Sequence, residues 1–332
     1  MGKGLPRLPS LLERKLYKTG QTRGADDDVI YQNRVSRNST VLIPYAFWER
    51  ASRPPEGESA FENGFIALIS PDLYFGNQKI NQELANRGLG LGQNALVFYE
   101  TREQWNAYKP DVHCWKAAQN RSAPLGGEYV ARIPATTAMN RGEKIIRGFN
   151  STSSKGAGIR VFEYASLQTI VNCRNQLEAL FWLCKDSERV MIKNGMAESD
   201  IMRRKTEKLK QCQELHLFDY KKLKQSRILN REAQTICPLC LEEISGEGFF
   251  NRLQQAEGRE VPDLTITQLN LFHIQELQIG VFNHRPYNLG WGHHHCNVVV
   301  RDAGIEQTLD WMDDVLDKNI DGGYFTPKKR PS

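Results

Sequence analysis

HIQELQIGVFNHRPYNLGWGHHHCN, residues 273–297, holds five of the seven histidines of this 332-residue chain, and its reading decides the rest. Thirty-three residues before it stands a C-x-x-C knuckle, Cys237-Pro-Leu-Cys240, and inside it His293 and Cys296 repeat the same gap as H-x-x-C. Two such pairs, each closing a tight turn, are what a tetrahedral zinc ion with sulfur and nitrogen ligands requires. A redox C-x-x-C would be expected in a thioredoxin-like βαβ setting, which the surrounding sequence does not offer. Four protein ligands leave no open position for water, so Zn2+ at Cys237, Cys240, His293 and Cys296 is expected to be structural. It would brace a loop-rich segment with little core of its own.

Around this quartet lie His273, which closes the strand-like run ITQLNLFHI (266–274), then Asn288, and Asn297 directly after the last zinc ligand. The string NLGWGHHHCN (288–297) resembles the pattern N-L-x-x-L-C-x-x-C-[HN] of the HNH nucleases, with Gly292 in place of the second Leu and His293 in place of the first Cys. That resemblance implies a ββα-metal fold that hydrolyses phosphodiesters with one divalent ion. It gives His273 the role of general base, Asn288 that of positioning amide, and Asn297 that of ligand to the catalytic cation. Hydrolysis needs a base for the attacking water and a cation at the scissile phosphate, and an imidazole titrating near neutrality suits the first task. Mg2+ is the default for a phosphate site with oxygen ligands. One departure stands out: the family usually carries Asp just before the base, and this chain has Phe272. Glu276, Asp302 or another carboxylate is then expected to serve as the second ligand, or the ion is held by Asn297, the phosphate and waters.

The HNH likeness covers about 237–318. The wording of this copy, LFHIQELQIGVFNHRPYNLGWGHHHCNVVVRDAGIEQTLDW, looks like type II restriction endonucleases. Together with KTGQTRGADDDVIYQNRVSRNSTVLIPY near the N-terminus it is most similar to the BstXI-type family. That resemblance implies a homodimer cutting double-stranded DNA at an interrupted palindrome of the form CCA-N6-TGG. One HNH site cuts one strand, so a double-strand cut at a palindrome calls for two sites related by a two-fold axis. The rival readings are a modification-dependent HNH nuclease and a non-catalytic zinc-containing DNA-binding protein.

The remainder of the chain reads as an α+β protein. Residues 1–165 are assigned to DNA recognition, 166–236 to a helical linker and dimerisation segment, 237–318 to the zinc-braced nuclease domain and 319–332 to a loose tail. VLIPYAF (41–47), GFIALIS (64–70), NALVFYE (94–100), EYVARIPA (128–135) and GIRVFEY (158–164) read as strands of a mixed, strand-rich domain, with a helix near 79–87. Gly88 to Gly92 lacks the Gly-Lys-Ser/Thr ending of a phosphate loop and reads as a turn. Trp105, Trp115, Tyr99 and Tyr108 lie among Lys109, Lys116 and Arg121, which suits either base stacking or a half-buried core. From Ser166, the spacing of Leu167, Ile170, Val171, Leu177, Leu180, Phe181 and Cys184 predicts a helix whose face is core or dimer contact. After the site, Ile305, Leu309, Met312 and Leu316 predict one apolar face packing a C-terminal helix on the ββα unit.

Net charge is only +5, so clustering matters more than the total. Between Arg203 and Arg227 nine Lys and Arg face three acids. Arg203, Arg204, Lys205, Lys221 and Lys222 are therefore candidate phosphate contacts, against the plainer reading of a solvated helix face. Lys15, Lys18, Arg23, Arg34 and Arg37, around Asp26-Asp27-Asp28, suggest a basic arm or a solvated surface segment. No apolar run approaches the roughly 20 residues of a membrane span. The first residues lack a signal peptide's apolar core. Seven scattered cysteines suit a reducing compartment. A cytoplasmic protein is expected.

Overall fold

A computed structural model of the chain describes residues 4–21, 35–119, 126–135, 142–148, 158–252, 267–301 and 304–327. In chain order its elements are α1 (Ser10–Lys18), β1 (Val41–Pro44), α2 (Trp48–Ala51), β2 (Phe65–Ile69), α3 (Pro71–Gly76), α4 (Ile80–Asn86), β3 (Ala95–Tyr99), α5 (Arg102–Ala107), β4 (Tyr129–Ile133), β5 (Ile145–Arg147) and β6 (Ile159–Arg160). Then come α6 (Leu167–Trp182), α7 (Ser187–Lys193), α8 (Glu198–Glu214), α9 (Tyr220–Gln225), β7 (Leu269–His273), β8 (Leu289–His293), α10 (His294–Val300) and α11 (Ile305–Asp321). The α+β expectation holds at that level. None of the described helices is long and apolar enough to cross a membrane.

The chain divides into two compact units, Gly20–Ile170 with Gln278–Phe282, and Met1–Thr19 with Val171–Leu277 and Asn283–Ser332. In the first, six strands run in the order β5-β4-β3-β2-β1-β6. All neighbours are parallel except β4 and β5. The runs VLI, FIALI and ALVFY explain this: their residues are almost all buried, as strands covered on both faces are. All five strand stretches read from the sequence form strands, and the helix near 79–87 is α4. Two are shorter than the apolar run. After Pro44 the chain turns into a 3-10 helix at Tyr45–Phe47, and a second 3-10 turn, Val161–Glu163, follows β6. Proline, lacking an N–H, ends a ladder naturally. Gly88 and Gly92 both take positive φ, as a turn demands.

In the second unit, α6 is buried almost throughout from Asn175 to Trp182. Leu177, Leu180, Phe181 and Trp182 share one core with Phe249, Phe272, Leu289 and Trp291. Edge-on ring contacts link Phe181 to Phe249 at 5.1 Å and Phe249 to Trp291 at 4.9 Å. The later part of the predicted face is thus core, while Leu167 and Val171 at its start stay exposed. Cys173 and Cys184 are buried thiols, as expected, and burial pushes the Cys184 thiol well up.

Two expectations need correction here. The apolar face of α11 does not pack as a whole: Ile305 is buried, while Leu309 is 38% and Leu316 46% exposed. Nor is the N-terminal segment a solvated basic arm throughout. Lys15 is buried, and its ammonium donates to the carbonyl of Leu269, the first residue of β7. Arg37, also buried, donates to the carbonyl of Glu163. Arg23, Arg34 and the three aspartates lie outside the described residues.

Candidate active site and metal centre

The Cys3His quartet of Cys237, Cys240, His293 and Cys296 is assembled from two local turns. The first is tied down by backbone bonds: the N–H of Cys237 donates to Glu242 and that of Leu241 to Cys237, both at 2.9 Å. Leu241 takes a left-handed φ of 62° to close it. The second is the entry to α10. His293 is the last residue of β8 and the N-cap of the helix, and Cys296 lies in its first turn, so the two side chains share a face.

The ligand atoms of Cys237, Cys240, His293 and Cys296 all lie within 4.8 Å of one another. Tetrahedral bonds of about 2.0–2.3 Å would set them roughly 3.3–3.8 Å apart, so only a small contraction is needed. Three thiols and an imidazole are also the donor chemistry that zinc selects. The residues fit the ion, and with four ligands from the protein it would be structural.

The electrostatics are those of a cluster built for a cation. Burial alone would raise the Cys237 thiol, but the hydrogen bond with His293 and the backbone N–H groups of Cys240, His293 and Leu239 bring it down to about 6. Cys240 and Cys296 are raised, by burial first and then by the charge on Cys237. The imidazole of His293 is raised chiefly by its bond to Cys237, and its Nδ1 also lies 3.3 Å from Cys240 Sγ.

Next to this centre, β7 and β8 form an antiparallel hairpin that continues directly into α10. Paired residues run from Leu269 with His293 to His273 with Leu289. Phe272 points into the core and is fully buried. A Cβ on Gly292 would come within 2.5 Å of the Phe272 ring. Phe272 and Gly292 are therefore complementary: the ring fills the space the glycine leaves. A carboxylate at 272 would be buried in that core.

His273 is half-buried at the end of β7, and its Nε2 lies 3.1 Å from Nδ1 of the buried His284. Asn288 is buried, and its carboxamide is used by backbone groups. Its oxygen accepts from the N–H of Gln275 at 2.7 Å; its nitrogen donates to the carbonyls of Gln275 at 3.2 Å and Asn283 at 2.8 Å. The carbonyl of Asn288 accepts from Ile274 N–H. Asn288 thus holds the backbone just beyond His273.

Asn297 is half-buried in α10, one residue past Cys296. Glu276 is half-buried in the loop after β7, where its carbonyl accepts from the Asn283 side chain at 2.6 Å. Asp302 lies outside the described residues. Among the described residues, the zinc quartet is the only cluster of three or more His, Cys, Asp or Glu placed to hold a metal. A second ion at Asn297 would share its coordination with substrate phosphate and water, as Mg2+ usually does.

α6 supports the hairpin from behind. The indole N–H of Trp291 donates to the carbonyl of Leu177 at 2.8 Å. The amide of Gln176, fully buried, accepts from Tyr287 N–H and donates to the Leu217 carbonyl, both at 2.8 Å. Sequence reasoning missed Gln176 and assigned His284 no role. The only signal for the latter was its place in a histidine-rich stretch, four residues before Asn288.

The candidate phosphate contacts divide. Arg204 makes a forked ion pair with the buried carboxylate of Glu178, at 2.6 and 3.0 Å, and donates to the Pro6 carbonyl. Lys205 pairs with Glu188 at 2.6 Å, and Arg203 donates to the Gly4 carbonyl at 2.7 Å. These three hold the unit together. Lys221 and Lys222 are exposed on α9, the latter 5.1 Å from the centroid of the Tyr287 ring.

A family model described as BstXI restriction endonuclease matches residues 14–294. Among solved structures, a crystal structure of a type II restriction endonuclease is similar at 12% identity and a TM-score of 0.28, a likeness too slight to carry a structural argument. It covers 47% of this chain, which in turn spans 57% of that chain's length. No curated relative matches.

Proposed function

Because the chain belongs to the BstXI restriction endonuclease family, we propose that it makes double-strand cuts in DNA at a specific, interrupted palindromic site by HNH-type phosphodiester hydrolysis. The observation that carries the reading is the hairpin-helix of β7, β8 and α10. It ends one strand on His273, braces the next residues through Asn288, and starts its helix on a Cys3His quartet.

In this reading His273 takes the proton of the attacking water and Asn288 keeps the strand end in place. Asn297, with Glu276 as a second candidate ligand, would hold a divalent cation, Mg2+ by default, that supplies positive charge at the scissile phosphate. Zn2+ held by Cys237, Cys240, His293 and Cys296 would tie the 237–241 turn to the junction of β8 and α10. Lys221 and Lys222 remain candidate phosphate contacts. The sheet unit is left to read bases.

A two-fold dimer supplies the second cut. Its contact surface is the stripe of Leu309, Leu316 and Ile320 left exposed on α11. That helix carries Glu306, Asp310, Asp313, Asp314, Asp317 and Asp321 against Lys318, a charge that turns it away from DNA and suits a protein partner.

The direct test is incubation of the purified protein with phage DNA and Mg2+. Discrete fragments with a common sequence at their ends are expected. Intact DNA, or a smear without shared ends, contradicts the proposal.

A further inference from the structure

We propose that His284 is a positioning residue for His273, holding its Nε2 and so assigning the basic role to Nδ1. This rests on the nuclease reading given above. The two imidazoles meet at 3.1 Å, Nε2 of His273 to Nδ1 of His284, with the rings inclined at 54°. At that separation one nitrogen carries the proton and the other accepts it.

The choice between them follows from what a base needs. If His284 Nδ1 carried the proton, His273 would accept at Nε2 and hold its own proton on Nδ1. Neither of its nitrogens could then take one from water. In the opposite arrangement, His273 donates Nε2–H to His284, and its Nδ1 lone pair is the base. When a water attacks, its oxygen bonds to phosphorus, its proton goes to Nδ1, and the P–O bond to the leaving sugar oxygen breaks. That oxygen takes a proton from solvent, and Nδ1 later returns its own. Throughout, the Nε2–H bond to His284 is kept. It strengthens as His273 becomes an imidazolium, because a charged donor bonds more strongly.

The surroundings hold His284 in place. It is fully buried beside Asn283, whose carbonyl accepts from Asn288 and whose side chain donates to Glu276. The amide that braces the end of β7 therefore also braces the segment carrying His284. Gln275 and Asn283, on either side of 278–282, both bond the Asn288 side chain, and His284 meets the histidine at the strand end. The missing Asp before the base is a separate matter: His284 takes up the orienting task, not the metal.

The test has two arms. In the first, the wild-type protein is labelled with 15N-histidine, and a long-range 1H–15N spectrum reads the tautomer of His273, assigned by loss of its signals in H273Q. The expected pattern is protonated Nε2 and unprotonated Nδ1; the reverse pattern overturns the proposal.

In the second, H284N keeps an acceptor oxygen near the Nδ1 position, while H284L fills much of the ring's volume without one. Single-turnover cleavage at saturating DNA should fall about 100-fold in H284L, with binding in Ca2+ unchanged, and recover to within about tenfold of wild type in H284N. If H284L proves unstable, the spectrum of H284N decides, with the wild-type tautomer expected and a mixed one contradicting the role. A wild type that cuts through His273 while H284L cuts at the same rate overturns the positioning role alone. A wild type inert on DNA overturns the nuclease reading, and the role with it.

Discussion

The side chain of Asn288 pairs with both backbone groups of Gln275, accepting from its N–H at 2.7 Å and donating to its carbonyl at 3.2 Å. A carboxamide has the donor and acceptor of a peptide group, so it extends the β7–β8 ladder one step past His273 where the strand itself has ended. Only Asn, among residues of this length, can do so without charge.

Asn288→Ala leaves the Gln275 N–H and two carbonyls without these partners, at a cost of about 2–4 kcal/mol. Asn288→Asp keeps the acceptor but sets a carboxylate against both carbonyls, and is expected to be at least as damaging. Thermal melting measures the loss. Cleavage should fall further than stability in both variants, since the loop that carries His273 onward is what moves.

How much of this was legible in the sequence depends on how far apart the partners lie. The zinc quartet was, because each pair spans three residues and a turn brings it together whatever the rest of the chain does. The apolar runs of β1, β2 and β3 were also clear. Their order was not, since pairing in a parallel sheet is between segments far apart. Lys15 read as a surface cation because nothing near it shows that its acceptor, Leu269, lies 254 residues away. The ion pair of Arg204 was hidden for the same reason, its carboxylate lying two helices back on α6. Phe272 looked like a lost ligand until Gly292 was seen beneath it.

Zinc is expected at one ion per chain by elemental analysis. Removing it with a strong chelator should lower the melting temperature and abolish cleavage without Mg2+ rescue. Binding needs deprotonated ligands, and Cys240, Cys296 and His293 all have raised pKa values in the metal-free cluster. Metal uptake at neutral pH therefore releases protons, and apparent affinity falls as pH falls. Competition with a chromogenic chelator at several pH values measures this; affinity independent of pH contradicts the thiolate site.

The ion pair of Arg204 and Glu178 predicts a division among the basic residues. Glu178→Gln leaves the guanidinium, only 14% exposed, without its counter-charge, at a cost of about 3–5 kcal/mol. Lys221 and Lys222 changed together to Gln should leave stability unchanged. If both touch phosphates, the salt dependence of DNA binding should become shallower by about two counterions. An unchanged slope removes α9 from the DNA interface.

For α11, Leu309→Glu with Leu316→Glu should leave a folded monomer by sedimentation, since both side chains are substantially exposed. On supercoiled plasmid the variant should accumulate nicked circles before linear product, one site acting at a time. A dimer that persists contradicts this surface.

The central claim is that His273 does the chemistry of a site-specific nuclease. Wild type and His273→Ala, both zinc-loaded, are compared for binding to cognate fragment in Ca2+ and for its cleavage in Mg2+. The account predicts equal binding and at least a 100-fold loss of cleavage in the variant. Cleavage that survives the substitution undiminished contradicts it.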